Sequence, residues 1–291
     1  MKPASFEYHA PASAEAAVDV LAELGDGAKV IAGGQSLVPV LAMRLSFFDH
    51  LVDIGRIAAL RGTEDRGDSV WIGAGTTEAE IGRSELIARR VPLLSRATPL
   101  IGHFQIRNRG TIGGSLAHAD AAAEYPAVAL ALDATIEALS PRGRRTIPAA
   151  DFFTGIWTTA LAPDELLTGV SFPPASGKQG FAIEEFARRP GDFAVAGAAV
   201  AVELAPGGRV SGSSIALFGL GPTVLRAASA EASALGAAAS AINPAELGRA
   251  AVAGLSSVPS DLHGTADYRK KVGAALVARA WEKAVKEAAS G

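Results

Sequence analysis

The chain has no cysteine among its 291 residues. It can make no disulfide, and it cannot itself hold a cysteine-ligated iron–sulfur cluster. No run of about 18 or more apolar residues occurs, so no membrane span is expected. The opening residues MKPASFEYHAPAS lack the apolar centre of a signal peptide, which makes the cytoplasm the expected location. Basic residues (27) do not outnumber acidic ones (30), the net charge is −3, and no basic stripe calls for nucleic acid. His9, His50, His103 and His263 show no metal-ligand spacing along the chain with carboxylates or with each other, so no metal is expected. The remainder is an ordinary globular balance, 49% hydrophobic and 20% charged, long enough for two cored domains.

Glycine is plentiful, with 32 residues, and two places concentrate it. Ala32-Gly33-Gly34-Gln35-Ser36 precedes LVPVLAMRL. There Ser36 is expected to cap a helix over 37–45, with Pro39 in its first turn. RNRGTIGGSLAHADAAAEYP (107–126) carries Gly113-Gly114-Ser115. Paired glycines followed by a hydroxyl can aim several N–H groups at one anion. Either loop alone also reads as a tight turn. Two such loops opening helices suggest two clamps on a diphosphate.

Ser13 is expected to cap a helix through AEAAVDVLAEL that Gly25 ends. Strands are expected at 29–32, 50–54 and 69–75, and Thr77 with Glu80 forms a capping box. Helical stretches at 92–102 and after Pro126 follow, then strands at 135–140 and 165–173, with a loop starting at Asp151-Phe152-Phe153. PPASGKQG (173–180) reads as a linker. Beyond it come strands at 181–189, 196–204 and 213–221, and helices near 227–239, after Asn243, and over about 266–289.

AGGQSLVP (32–39) and TIGGSLAHADAAAEYP (111–126) resemble the two flavin-binding signatures of the medium subunit of molybdenum hydroxylases, the family of carbon monoxide dehydrogenase and xanthine dehydrogenase. The resemblance continues through residues 143–174 and through FARRPGDFAVAGAAV (186–200). It implies an α+β fold, with a two-lobed FAD-binding domain of the vanillyl-alcohol oxidase/PCMH type at 1–177 (lobes about 1–55 and 56–177). A smaller C-terminal domain of antiparallel sheet and helices would occupy 178–291.

By the same resemblance the amides of Gly33, Gly34, Gln35 and Ser36 hold one phosphate of FAD, and those around Gly113, Gly114 and Ser115 complete the diphosphate site or reach the ribityl chain. Ala32, Leu37, Ile101, Thr111, His118, Asp120, Glu124, Leu166 and Leu167 belong to it. Arg188 and Asp192 lie close to the flavin ring, and Phe193 shields its face. On residue type alone, Glu124 is equally a helix start, Phe193 a core residue, and His118 a packed histidine or a general base. Glu184 and Glu185 stand where such chains usually carry lysine.

FAD is expected to be non-covalent, since no cysteine is available for a thioether and no histidine sits in a glycine loop of the covalent type. The resemblance further implies a small partner with two [2Fe–2S] clusters and a large partner with molybdenum cofactor, assembled as a dimer of heterotrimers. Phe152, Phe153 and Trp157 are expected either to face such a partner or to pack between the domains. A self-sufficient flavin oxidase and a non-catalytic nucleotide-binding scaffold are the competing readings.

Overall fold

The computed structural model describes residues 2–290. Three strands, β1 (Glu7–His9), β2 (Ala28–Ile31) and β3 (His50–Asp53), form a parallel sheet in the order β1-β3-β2. Parallel strands need crossovers, and α1 (Ala14–Leu24) and α2 (Leu37–Ala42) supply them. Ser13 caps α1 by accepting from the Ala16 N–H at 3.1 Å, and Gly25 ends it with φ +56°. Ala14, Ala17, Val18 and Leu21, on one face of α1, pack on Val52, Ile54 and Ile57.

The next sheet is antiparallel, in the order β4-β5-β10-β6-β7. Its strands are β4 (Thr63–Asp65), β5 (Val70–Gly73), β6 (Thr135–Ser140), β7 (Gly143–Pro148) and β10 (Leu166–Phe172). Between β5 and β6 lie six helices: α3 (Glu78–Arg83), α4 (Glu85–Arg90), α5 (Pro92–Ala97), α6 (Phe104–Arg107), α7 (Ile112–His118) and α8 (Glu124–Ala131). The Thr77/Glu80 capping box opens α3 as expected. The expected loop at 151–153 is instead the end of a helical turn, α9 (Ala149–Phe152), running into a small hairpin, β8 (Phe153–Gly155) and β9 (Thr158–Thr159). Phe152 anchors that turn because its ring is wholly buried against the main core.

The last sheet is also antiparallel, β11 (Gln179–Phe186), β12 (Ala196–Leu204), β13 (Val210–Phe218) and β14 (Leu225–Arg226). Helices α10 (Ala228–Ala234), α11 (Pro244–Ala253) and α12 (Ala266–Ser290) complete this half. α10 is shorter than the alanine composition of 227–239 suggests, since Leu235 is already extended and Gly236 takes φ +78°. One face of the sheet packs on α12 through Trp281, Val277 and Ala284. The other carries Phe181, Ala199, Ala216 and Phe218 into the core built on β5, β6, β10 and α8, so one apolar cluster runs through both halves. Arg96 on α5 clamps Glu287 on α12 with bonds of 2.5 and 2.6 Å and also donates to the Phe181 carbonyl.

Candidate flavin site

β2 delivers the chain into the first glycine turn. Gly34 has φ +72°, the left-handed region, and turns the backbone sharply. Ser36 does not cap α2 as expected: its backbone is already helical (φ −97°, ψ −45°) and its hydroxyl makes no capping bond. The helix also stops at Ala42 rather than 45, and Arg44 takes φ +56°. Among the described residues, the N–H groups of Gly33, Gly34, Gln35 and Ser36 donate to no protein acceptor. Four successive free donors in one turn are what an anionic group needs.

Gly33 is buried against the second motif. A Cβ there would overlap the Arg109 carbonyl and crowd Gly110 at 2.8 Å. The 32–36 turn and the start of α7 are thus pressed together.

The second glycine pair behaves differently from the first. Gly113 and Gly114 lie inside α7, and neither is among the residues with positive φ. Their amides are occupied: Gly113 N–H donates to the Ala74 carbonyl at 2.9 Å, Gly114 N–H to the Thr111 hydroxyl at 3.0 Å, and Ser115 N–H to the Thr111 carbonyl at 2.9 Å. The expectation of a second amide clamp therefore fails, because the helix and its cap consume the donors. The glycines serve close approach instead. A Cβ on Gly113 would stand 2.5 Å from the Ala74 Cβ, and one on Gly114 would sit 2.9 Å from the Thr111 hydroxyl and 3.7 Å from the Ala32 Cβ. Thr111→Ala removes the cap and is expected to lower stability by about 1 kcal/mol, roughly 2 °C in Tm. A melting curve unchanged within error would show that the cap is idle.

α7 ends at Ala119 in a left-handed turn, φ +53°. Asp120 follows, accepting from the Ala122 N–H at 2.8 Å and from the Trp157 indole at 3.3 Å. Trp157 lies nearly parallel to His118, 10° between planes with centroids 6.3 Å apart. Burial pushes the His118 imidazole down, against the pull of Asp120 at 3.9 Å. A desolvated histidine lying parallel to an indole reads as a packed wall residue.

Glu124 opens α8 and is only 8% exposed. Burial pushes its carboxyl up to about 8, with Glu185, Glu78 and Asp120 adding to the rise. Glu78, 4% exposed at the start of α3, is raised by burial to about 7, and Glu185 to about 7 for the same reason. Glu78 and Glu185 each keep one buried carboxylate oxygen with no hydrogen-bond partner among the described residues. Neither was among the site residues drawn from the sequence, since α3, α8 and β11 meet only in the fold. Glu184 and Glu185 are not a pair: strand alternation sends Glu184 to Lys283 on α12 and Glu185 to the other face.

The remaining expected residues are spread. Leu37 and Ile101 are half-buried, and the Ile101 carbonyl accepts from Arg107 at 2.7 Å. Leu166 and Leu167 alternate on β10, Leu166 packing under α1 and Leu167 in the main core, so their side chains do not converge. Arg188 contacts His263 at 3.0 Å, Asp192 is exposed, and Phe193 is 66% exposed. These three sit on the loop after β11, where Gly191 faces His103 on the segment leading to α6. Phe193 is thus no core residue.

A donor-rich turn against a glycine-faced helix, with the exposed Phe193 loop beyond, suits a protein of two halves that binds an anionic nucleotide. Residues 4–175 match the family described as FAD binding domain in molybdopterin dehydrogenase. Residues 181–284 match the CO dehydrogenase flavoprotein C-terminal domain. The chain is 44% identical over 288 residues to the 6-hydroxypseudooxynicotine dehydrogenase complex subunit alpha of Paenarthrobacter nicotinovorans, covering 99% of this chain and 97% of that protein. It is 40% identical over 280 residues to the carbon monoxide dehydrogenase medium chain of Hydrogenophaga pseudoflava, covering 96% and 97%. Among solved structures, carbon monoxide dehydrogenase from Hydrogenophaga pseudoflava lacking the Mo-pyranopterin moiety superposes with TM-score 0.96 at 41% identity, covering 99% of each chain. Quinoline 2-oxidoreductase from Pseudomonas putida 86 gives 0.92 at 36%, again over 99% of each chain. The chain belongs to the FAD-binding medium subunits of the molybdenum hydroxylase family, a family of oxidoreductase subunits. Among the described residues, no helix is long and apolar enough to cross a membrane.

Proposed function

We propose that this chain carries non-covalent FAD as the electron-transfer subunit of a molybdenum hydroxylase complex. It would take electrons from [2Fe–2S] clusters of a small partner and pass them to an external acceptor such as a quinone or NAD. A large partner would hold the molybdenum cofactor and oxidise the substrate, in a cytoplasmic dimer of heterotrimers. The division falls at 177/178, between the FAD-binding portion and the C-terminal sheet portion.

The observation that carries the reading is the run of free N–H donors at 33–36, pressed by Gly33 against the start of α7. FAD, when bound, supplies a carrier able to exchange one or two electrons. The chain's own contribution is placement. The donors of 33–36 would hold a phosphate through charge-assisted hydrogen bonds. Gly114 leaves room at the α7 face, and Trp157 with His118 walls the site at Asp120. Glu124, Glu78 and Glu185, whose carboxyls are all raised, would carry less negative charge toward a bound anion than ordinary glutamates. Phe193 would cover the ring from the loop after β11. Val38, Met43, Leu45 and Phe47 are exposed along α2 and just past it. Four large apolar side chains so close to the donor turn support a partner docked there.

Expressed alone, the chain is expected to purify yellow, to release all its flavin as FAD on acid precipitation, and to reduce no dye with aldehydes, purines or carbon monoxide. Co-expressed with its two partners it should elute as one assembly with substrate-dependent dye reduction. Substrate turnover by the isolated chain at the rate of the complex would replace this reading with the self-sufficient oxidase.

A further inference from the structure

The parallel pairing of β1 with β3 sets Glu7 beside His50 and His9 beside Val52. Side chains two apart on a strand share a face, as do those at paired positions of adjacent strands. Glu7, His9 and His50 therefore converge, although 41 residues separate the two histidines in sequence. His9 Nε2 lies 3.1 Å from His50 Nδ1, and His50 Nδ1 lies 3.5 Å from Glu7 Oε2. The three ligand atoms all fall within 4.8 Å of one another. Bonds of about 2.0–2.1 Å to a tetrahedral cation put neighbouring ligand atoms roughly 3.3–3.4 Å apart. The two shorter separations bracket that value, and rotation of the exposed Glu7 side chain can close the third. Two ring nitrogens facing each other at hydrogen-bond distance must share a proton or a cation. A carboxylate oxygen at 3.5 Å is too far to be a good hydrogen-bond partner yet well placed as a third ligand.

We propose that Glu7, His9 and His50 form a binding site for a divalent transition cation of the Zn2+ type, away from the flavin turn. Two imidazoles and one carboxylate are borderline donors that suit Zn2+, and three protein ligands leave a fourth position for water. The cation would clasp β1, an edge strand of only three residues, to β3. At the other end of β3, Asp53 already holds Tyr8 through its hydroxyl and the Gly55 N–H at 2.7 Å. The clasp would steady the sheet whose strand β2 leads into the donor turn.

Full-length flavin-loaded protein, stripped of metal by a chelator and dialysed, should be titrated with ZnCl2 by calorimetry and followed by thermal melting. The expected result is one equivalent bound with a dissociation constant in the micromolar range or tighter, and a Tm that rises with Zn2+ concentration. His9→Ala should abolish the binding. Glu7→Gln, an exposed and conservative change, should weaken it at least tenfold while leaving the metal-free Tm unaltered. Absence of saturable binding to the unaltered chain would overturn the site, as would a Zn2+ affinity in either variant equal to that of the unaltered chain.

Discussion

Gly33→Val is expected to yield a folded chain that has lost most of its flavin, with affinity reduced roughly ten- to a hundredfold. The reason is local. Any Cβ at position 33 overlaps the Arg109 carbonyl, so the 32–36 turn must lift away from the start of α7. Overpacking of this kind typically costs about 1–3 kcal/mol, and each 1.4 kcal/mol is about tenfold in an equilibrium constant. The lift also misaims the N–H donors of Gly33 to Ser36. The change should show as a drop in the ratio of flavin to protein absorbance, and as a lower Tm that added FAD no longer raises. Gly114→Val is expected to act in the same direction, through collision with the Thr111 hydroxyl rather than through backbone strain. A Gly33→Val protein purified with full FAD would show that the contact between the two motifs is irrelevant to binding.

Stripped of flavin, the chain should lose stability as pH rises from 5 to 8, and Glu124→Gln should remove much of that loss. Glu124 has a folded-state pKa of about 8, against an ordinary carboxyl value of 4.5. A raised value means that the folded state holds the proton more tightly. The stabilisation is complete below pH 4.5 and disappears as pH passes through about 8. Glu78 and Glu185, each raised to about 7, lose theirs in the same interval. The carboxyls held low by ion pairs, such as Glu287 by Arg96 and Glu165 by Arg145, act oppositely, but only as pH falls below about 4.5. The His118 imidazole, pushed down by burial, acts oppositely inside the interval, but it is one group against the three raised carboxyls, which set the sign of the slope. A glutamine at 124 is neutral at every pH. It should raise stability at pH 8 by on the order of a few kcal/mol, roughly 5 °C in Tm, and flatten the slope. Parallel Tm-versus-pH lines for the two proteins would refute the assignment.

Much of the scaffold was legible because it is written in local chemistry. Ser13 and Gly25 bound α1, Thr77 and Glu80 open α3, and the segments 135–140 and 196–204 are strands with those same limits. The donor turn at 33–36 could be read too, because paired glycines before a hydroxyl constrain the backbone nearby. What the sequence hid is long-range. Gly113 and Gly114 look like a loop, but Thr111 caps them into a helix whose glycines clear Ala74 and Ala32. Phe152 and Phe153 look equivalent, yet one is fully buried and the other rests edge-on against it at 5.2 Å. The three raised carboxyls come from α3, α8 and β11, and His9 meets His50 only through strand pairing. No spacing rule along one chain reports such meetings.

The apolar cluster that runs from β5 and α8 into β12 and β13 also restricts how the molecule can move. Many two-domain proteins admit a ligand by swinging about a hinge, which requires an interface that can part. Here Phe181, Ala199 and Phe218 belong to the same packed core as Ile72 and Tyr125. Parting the halves would expose that core and break the Arg96–Glu287 clamp. The way in for a nucleotide must be smaller in scale. The segment after β11 that carries Arg188, Asp192 and Phe193 has mostly exposed side chains. Few buried contacts mean a low free energy of local opening. If the flavin lies beneath this loop as proposed, we infer that entry would fall to the loop on a rigid frame, and exchange of cofactor would be timed by it rather than by the body of the protein.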